Sequence, residues 1–200
     1  MNCSVPNNFM RILNRHVDCT PSILSKASVL SREEVEFSTD PEVIRIRGMV
    51  NSVLAENHMM KAFVRLKPQG EKILYGYMKP EHDIWALVGR FFAKRFPGTV
   101  IVLGNNLLSH VFLFDGNAVN HSKTRSLTMT LKDLKKLLGK TEAGNTEALW
   151  EAYYWSQYRP EAKNTRYFKQ NVRAKYVKSA GITAETDSGG TRLEDFFAIV

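Results

Sequence analysis

Apolar residues recur along this chain at two different periods, and the changes of period mark its elements. Val43, Ile46, Val50, Val53 and Leu54 follow one another at helical spacing. Thr39-Asp40-Pro41-Glu42, just ahead of them, supplies a cap, a proline for the first turn and an acid, which predicts a helix start. Ser31-Arg32-Glu33-Glu34 has the form of a capping box, although no long apolar run follows it. Residues 1–57 therefore read as helix and loop. The segments 62–66 and 73–78 are rich in aromatic and branched residues and are joined by Lys67-Pro68-Gln69-Gly70-Glu71, the pattern of a β-hairpin. Pro80-Glu81-His82-Asp83 opens the next helix, in which Ile84, Leu87, Val88, Phe91 and Phe92 form the buried stripe. Arg90 and Lys94 lie on its opposite face, and Pro97-Gly98 stops it.

A second strand pair, 100–103 and 110–114, flanks Gly104-Asn105-Asn106 and ends at Asp115-Gly116. From Thr130 the period is helical again. Asn145-Thr146 can cap a helix carrying Leu149, Trp150, Tyr153, Tyr154 and Tyr158, which ends at Arg159-Pro160. The helix after it holds Phe168, Val172 and Tyr176 on one side and Lys163, Arg166, Lys169 and Arg173 on another. The expectation is an α+β fold: an antiparallel sheet of about four strands in the order strand–strand–helix–strand–strand, with N-terminal helices and a C-terminal basic helical hairpin. Residues 1–180 read as one domain, and 181–200 as a flexible acidic tail.

Charge changes this picture more than overall composition does. The chain has 28 Lys+Arg against 20 Asp+Glu, a formal charge of +8. Its isoelectric point near 9.5 exceeds the value of about 9 that flags nucleic-acid binding. The excess is concentrated: residues 121–180 hold 13 basic and 5 acidic residues, whereas 181–200 hold 1 and 4. A localised surplus of this kind suits a surface that faces a polyanion. The competing reading is a solvated helical face. Tyr153, Tyr154, Trp155, Tyr158, Tyr167 and Tyr176 are interleaved with the basic residues of this block, so phosphates could be gripped while bases stack. Packing alone would also explain the aromatics.

Several classes are excluded or unsupported. No run approaches the roughly 18 apolar residues of a membrane span, and Met1-Asn2-Cys3-Ser4-Val5-Pro6 has no secretory pattern, so a cytoplasmic protein is expected. Cys3 and Cys19 are too few for a disulfide scaffold or a four-ligand zinc site. No metal signature, phosphate loop or nucleophile elbow occurs, and no cofactor is implied. Candidate acid–base groups are His58, Glu81, His82, Asp83, His110 and Asp115, which could meet in one cleft; each is also readable as a structural residue.

Two resemblances add to this. Gly190-Thr191-Arg192-Leu193-Glu194-Asp195-Phe196-Phe197 resembles the peptides by which replication and repair proteins dock on a sliding clamp, with Gly190 where those peptides carry Gln. It implies that Leu193, Phe196 and Phe197 enter one hydrophobic pocket from a single 3₁₀ turn. Its alternative is a tail that buries the same residues on its own core. Secondly, His58-Met59-Met60-Lys61-Ala62-Phe63-Val64-Arg65, Pro80-Glu81-His82, the segment Phe91 to Gly98, Ser109-His110 and Asp115-Gly116 occur in that order. Trp150-x-x-Tyr153-Tyr154-x-Ser156 and Pro160-Glu161-Ala162-Lys163-Asn164 follow. The set, over residues 36–178, resembles a bacterial family of unknown function linked to DNA metabolism. Its members are paired with a radical-SAM DNA modification or repair protein, or fused to a uracil-DNA-glycosylase-like domain. Phe112 or Phe114 stands where that family has Trp, and Lys163 where it has Arg.

The expected function is a DNA-binding protein in repair or base modification, accessory to such a partner enzyme. Arg159, Lys163, Arg166, Lys169, Arg173 and Lys175 would track phosphates, with Arg90, Lys94 and Arg95 extending the surface. Two alternatives stay open: a glycosylase-like hydrolase acting on a DNA base, and a protein-binding adaptor without DNA contact. DNA, a sliding clamp and the radical-SAM or glycosylase-like enzyme are the expected partners, so the protein would sit at the nucleoid or at replication sites.

Overall fold

A computed structural model of the chain describes residues 5–70, 72–137, 170 and 172–181. Three short helices lead in: α1 (Phe9–Leu13), α2 (Pro21–Ser28) and α3 (Arg32–Phe37). The starts of α2 and α3 are locally encoded. The Thr20 hydroxyl accepts from Ile23 N–H ahead of Pro21, and Ser31 and Glu34 complete the reciprocal capping box. The long helix α4 (Pro41–Phe63) begins where expected, with the Asp40 carboxylate accepting from the backbone N–H of Glu42 and Val43. It presents Val43, Ile46, Val50, Val53 and Met60 to the core.

The sheet departs from the expected one. Among the described residues it has five strands in spatial order β1 (Lys67–Pro68), β2 (Ile73–Tyr77), β3 (Val100–Gly104), β4 (Ser109–Phe114) and β5 (Val119–Thr124). It is mixed rather than antiparallel: β2 and β3 run parallel while the other neighbours are antiparallel. The reason is α5 (Trp85–Arg95), which lies between β2 and β3 and carries the chain back to the end of the sheet where β2 began. A crossover helix makes its flanking strands parallel neighbours, whereas a hairpin would reverse them. The segment 62–66 is not the first strand. Ala62 and Phe63 finish α4, Val64 caps it, and only Lys67 and Pro68 pair with β2. Helix α5 starts at Trp85, because Pro80 to Asp83 is held in a loop by contacts given below.

The core sits between α4, α5 and one face of the sheet. Ile101, Leu103 and Phe112 project from the sheet, and Ile84, Val88 and Phe92 meet them from α5 and the residue that precedes it. Gly89 permits the approach: a Cβ there would be driven into the Phe112 ring. Helix α6 (Leu127–Leu137) is tied to the sheet through the Ser109, Thr124 and Thr130 hydroxyls, which lie 2.7–2.9 Å from one another. Helix α7 (Ala174–Ser179) adds Tyr176 to the core beside α4. Most of the expected C-terminal helical hairpin, and the whole clamp-like peptide, lie outside the described residues. Among the described residues no helix is long and apolar enough to cross a membrane.

Candidate nucleic-acid interface

Two clusters of polar side chains flank the start of α5, and they are built differently. The first is a buried knot. Glu56 falls on the apolar stripe of α4 and is only 2% exposed. Its carboxylate accepts from the backbone N–H of Glu81 at 2.8 Å and of His82 at 2.9 Å. Two donors for one carboxylate satisfy its burial and fix the Pro80–Asp83 loop on α4. The His82 ring, 3% exposed, bridges two further elements: Nε2 is 2.9 Å from Ser52 Oγ, and Nδ1 accepts from Val17 N–H at 3.4 Å. A backbone N–H can only donate, so Nδ1 carries the lone pair and Nε2–H donates to Ser52. His82 in this tautomer orients Ser52 instead of deprotonating it. His16 stands 4.4 Å from the His82 ring, and burial, then His82 itself, lowers its pKa. Arg15 closes the knot by donating to the Asp83 carbonyl at 2.8 Å and lying 3.6 Å from its carboxylate.

The second cluster is open. His110 on β4 and His121 on β5 meet through Nδ1 and Nε2 at 2.7 Å. Their centroids are 5.0 Å apart and their planes differ by 18°, as two rings give when they meet edge to edge across a hydrogen bond. Trp85 stacks on His110 at 4.8 Å, and Phe112 lies under His121 at 4.4 Å with a plane angle of 3°. His110 is 7% exposed, while His121 stands exposed on the edge strand. Burial, followed by His121 and Lys123, pushes the His110 pKa down to about 4 against a raising influence from Asp83. Burial and Arg90 lower that of His121, with Asp83 again opposing. Both shifts favour the neutral rings at neutral pH, and the hydrogen bond itself needs only one unprotonated, accepting nitrogen.

Arg90 and Lys123 lie close enough to this open cluster to influence its rings, and further cations stand on α4 and α5. Arg90, Lys94 and Arg95 are exposed on the outer face of α5, and Lys123 is exposed on β5. Lys61 of α4 holds its ammonium 5.2 Å over Phe91, an aromatic residue 39% exposed. Among the described residues none of these five cations forms an ion pair. The result is a cationic band across α4, α5 and β5 that includes the Lys61–Phe91 contact.

The residues singled out in the sequence distribute unevenly over this geometry. Glu81, His82 and Asp83 come together at the knot, and Asp83 is near enough to His110 and His121 to influence both. Asp115 sits apart in the β4–β5 turn, where its carboxylate accepts from Asn117 and Ala118 N–H, the chief causes of its lowered pKa. His58 is exposed on α4. Arg173 is exposed at the start of α7, while Lys175 pairs with Glu81 at 3.3 Å. Arg159, Lys163, Arg166 and Lys169, like Leu193, Phe196 and Phe197, lie outside the described residues. Sequence reasoning missed Glu56, Ser52, Lys61, His121 and Lys123. Glu56 had a signal, an acid at an apolar-stripe position of a helix; His121 and Lys123 sit in a polar run that does not read as a strand.

Comparison with known proteins identifies a family and no function. A family model described as a domain of unknown function (DUF4130) matches residues 17–180. No curated protein matches the chain, and no solved structure does.

Proposed function

The chain belongs to the DUF4130 family, and on that premise we propose that it is a cytoplasmic DNA-binding protein. It would serve DNA repair or base modification as an accessory to a partner enzyme. The observation that carries this is the cationic band of Lys61, Arg90, Lys94, Arg95 and Lys123, with no ion pair inside it among the described residues. Arg90, Lys94, Arg95 and Lys123, exposed and in no ion pair among the described residues, can exchange their counterions for phosphates, which gives affinity with little sequence preference. The exposed Phe91 under Lys61 adds an apolar surface that a purely solubilising band does not need. Arg159, Lys163, Arg166, Lys169 and Arg173 would also track phosphates, and Leu193, Phe196 and Phe197 would recruit a sliding clamp.

Binding of purified protein to oligonucleotides between 50 and 200 mM salt, the usual diagnostic range, tests the proposal. Affinity should fall steeply across that range, and a duplex should compete as heparin does. Competition by heparin alone would assign the band to an acidic protein partner instead.

One observation favours a second reading, an enzyme acting on a DNA base. The His110–His121 hydrogen bond, Trp85 stacked on His110 and the influence of Asp83 on both rings bring two imidazoles, a stacking ring and an acid into one region. A glycosylase-like activity would leave abasic sites in an oligonucleotide, read as strand breaks after alkali, and His110→Phe should abolish them.

A further inference from the structure

We infer that the ring array at β4–β5 is a platform for an unpaired nucleobase, so that the nucleic acid held by the cationic band is single-stranded or carries an extruded base. This inference rests on the DNA-binding reading above and names its substrate class. The argument starts from the rings. His110 and His121 lie nearly in one plane, joined by their hydrogen bond, as two bases are in a pair. Phe112 is fully buried and covers one face of His121 at 4.4 Å. Gly89 holds Phe112 there, because its missing Cβ leaves room for the Phe112 ring. His121 is nevertheless exposed, and among the described residues β5 is the last strand of the sheet. The exposure of His121 is thus on the face turned away from Phe112, a flat π-surface with a rigid backing.

Edge strands ordinarily expose charged or polar side chains to prevent pairing, and a lysine alone would serve that end. A hydrogen-bonded histidine pair backed by a buried phenylalanine goes beyond it. Bases within a duplex already have both faces stacked, so only an unpaired base can use such a surface. Lys123, two residues along β5 from His121 and in register with His110, and Arg90 of α5, close enough to influence His121, are the nearby cations that phosphates would meet. Neutral imidazoles suit this role, since no charge has to be desolvated when a base covers them.

The test uses the full chain and fluorescence anisotropy with three probes of about 12 nucleotides, within the site sizes of single-strand binders. These are a single strand of thymidines, a duplex, and a strand whose central positions are abasic. His121→Ala should weaken binding of the thymidine strand by about tenfold, within the range for loss of one stacked base, and leave the other two unchanged. His121→Phe keeps a flat ring and should stay within about twofold of the parent on all three. Equal weakening on all probes, or no change on the thymidine strand, would overturn the platform. Arg90→Ala/Lys94→Ala separates the two readings. If it weakens every probe while His121→Ala is unselective, the platform alone fails; if it weakens none, the polyanion surface fails and the platform with it.

Discussion

Each end of the Pro80–Trp85 segment meets a pair of histidines in ring contact, yet the two pairs serve different ends. In the knot, His82 spends both ring nitrogens on Ser52 and Val17, and Glu56 spends both carboxylate oxygens on backbone N–H groups. Every polar atom of those two side chains already has a partner, and the gain is a fixed loop. In the β4–β5 pair, His110 and His121 spend one nitrogen each on one another. The outer face of His121 stays available, and the cations around it form no ion pair among the described residues. The difference teaches that a histidine's partners, more than its burial or its neighbourhood of charge, decide whether it builds structure or offers a site.

The largest effect that could break this contrast comes from the knot. Glu56→Ala strips two buried N–H groups of their acceptor and should cost about 3 kcal/mol in urea denaturation. The folded protein should still bind oligonucleotides like the parent. Gly89→Ala should cost about 2 kcal/mol by overpacking against Phe112. Unlike Glu56→Ala, it should also weaken single-strand binding, because Phe112 backs the ring array. A smaller effect sharpens the comparison through pH. His110 has a folded pKa of about 4 against an ordinary 6.5, so the unfolded chain binds its proton first as the solution is acidified. Stability should therefore be full above about pH 6.5 and decline toward pH 4. His16 and His121, both lowered, act with the same sign. Denaturation midpoints across that range should show a shallower decline in His110→Phe. The smallest stability effect, within about 0.5 kcal/mol, is expected for Arg90→Ala/Lys94→Ala, which are exposed. That variant should instead lower the slope of log affinity against log salt by about 0.7 on a single strand, or about 0.9 on a duplex, for each phosphate that is no longer neutralised.

How legible these features were depended on whether their cause was local. The caps at Ser31 and Asp40 could be read because a cap is set by a few adjacent residues. Strands β3 and β4 were legible from their aromatic and branched runs. The strand assigned to 62–66 was not one, since Met59-Met60-Lys61-Ala62-Phe63 simply continues α4, where tertiary packing extends a run of acceptable helix formers. Strand β5 was invisible: Val119-Asn120-His121-Ser122-Lys123-Thr124 has no apolar alternation, and its strand character comes from pairing with β4. For the candidate site, helical spacing put Arg90 and Lys94 on the outer face of α5, where the structure exposes them, and His110 could be singled out as an imidazole entering a strand. The partner that gives His110 its meaning lies across a strand pair, and no spacing along the chain announces it.

Amide hydrogen exchange of the full chain, with and without a single-stranded oligonucleotide at low salt, tests the central claim most directly. The account predicts slowed exchange in α5 around Arg90–Arg95 and in β5 around His121–Lys123, with the knot at Ser52–Glu56 and Glu81–Asp83 unchanged. Protection centred on the knot, or none in α5 and β5 when binding is saturated, would contradict it.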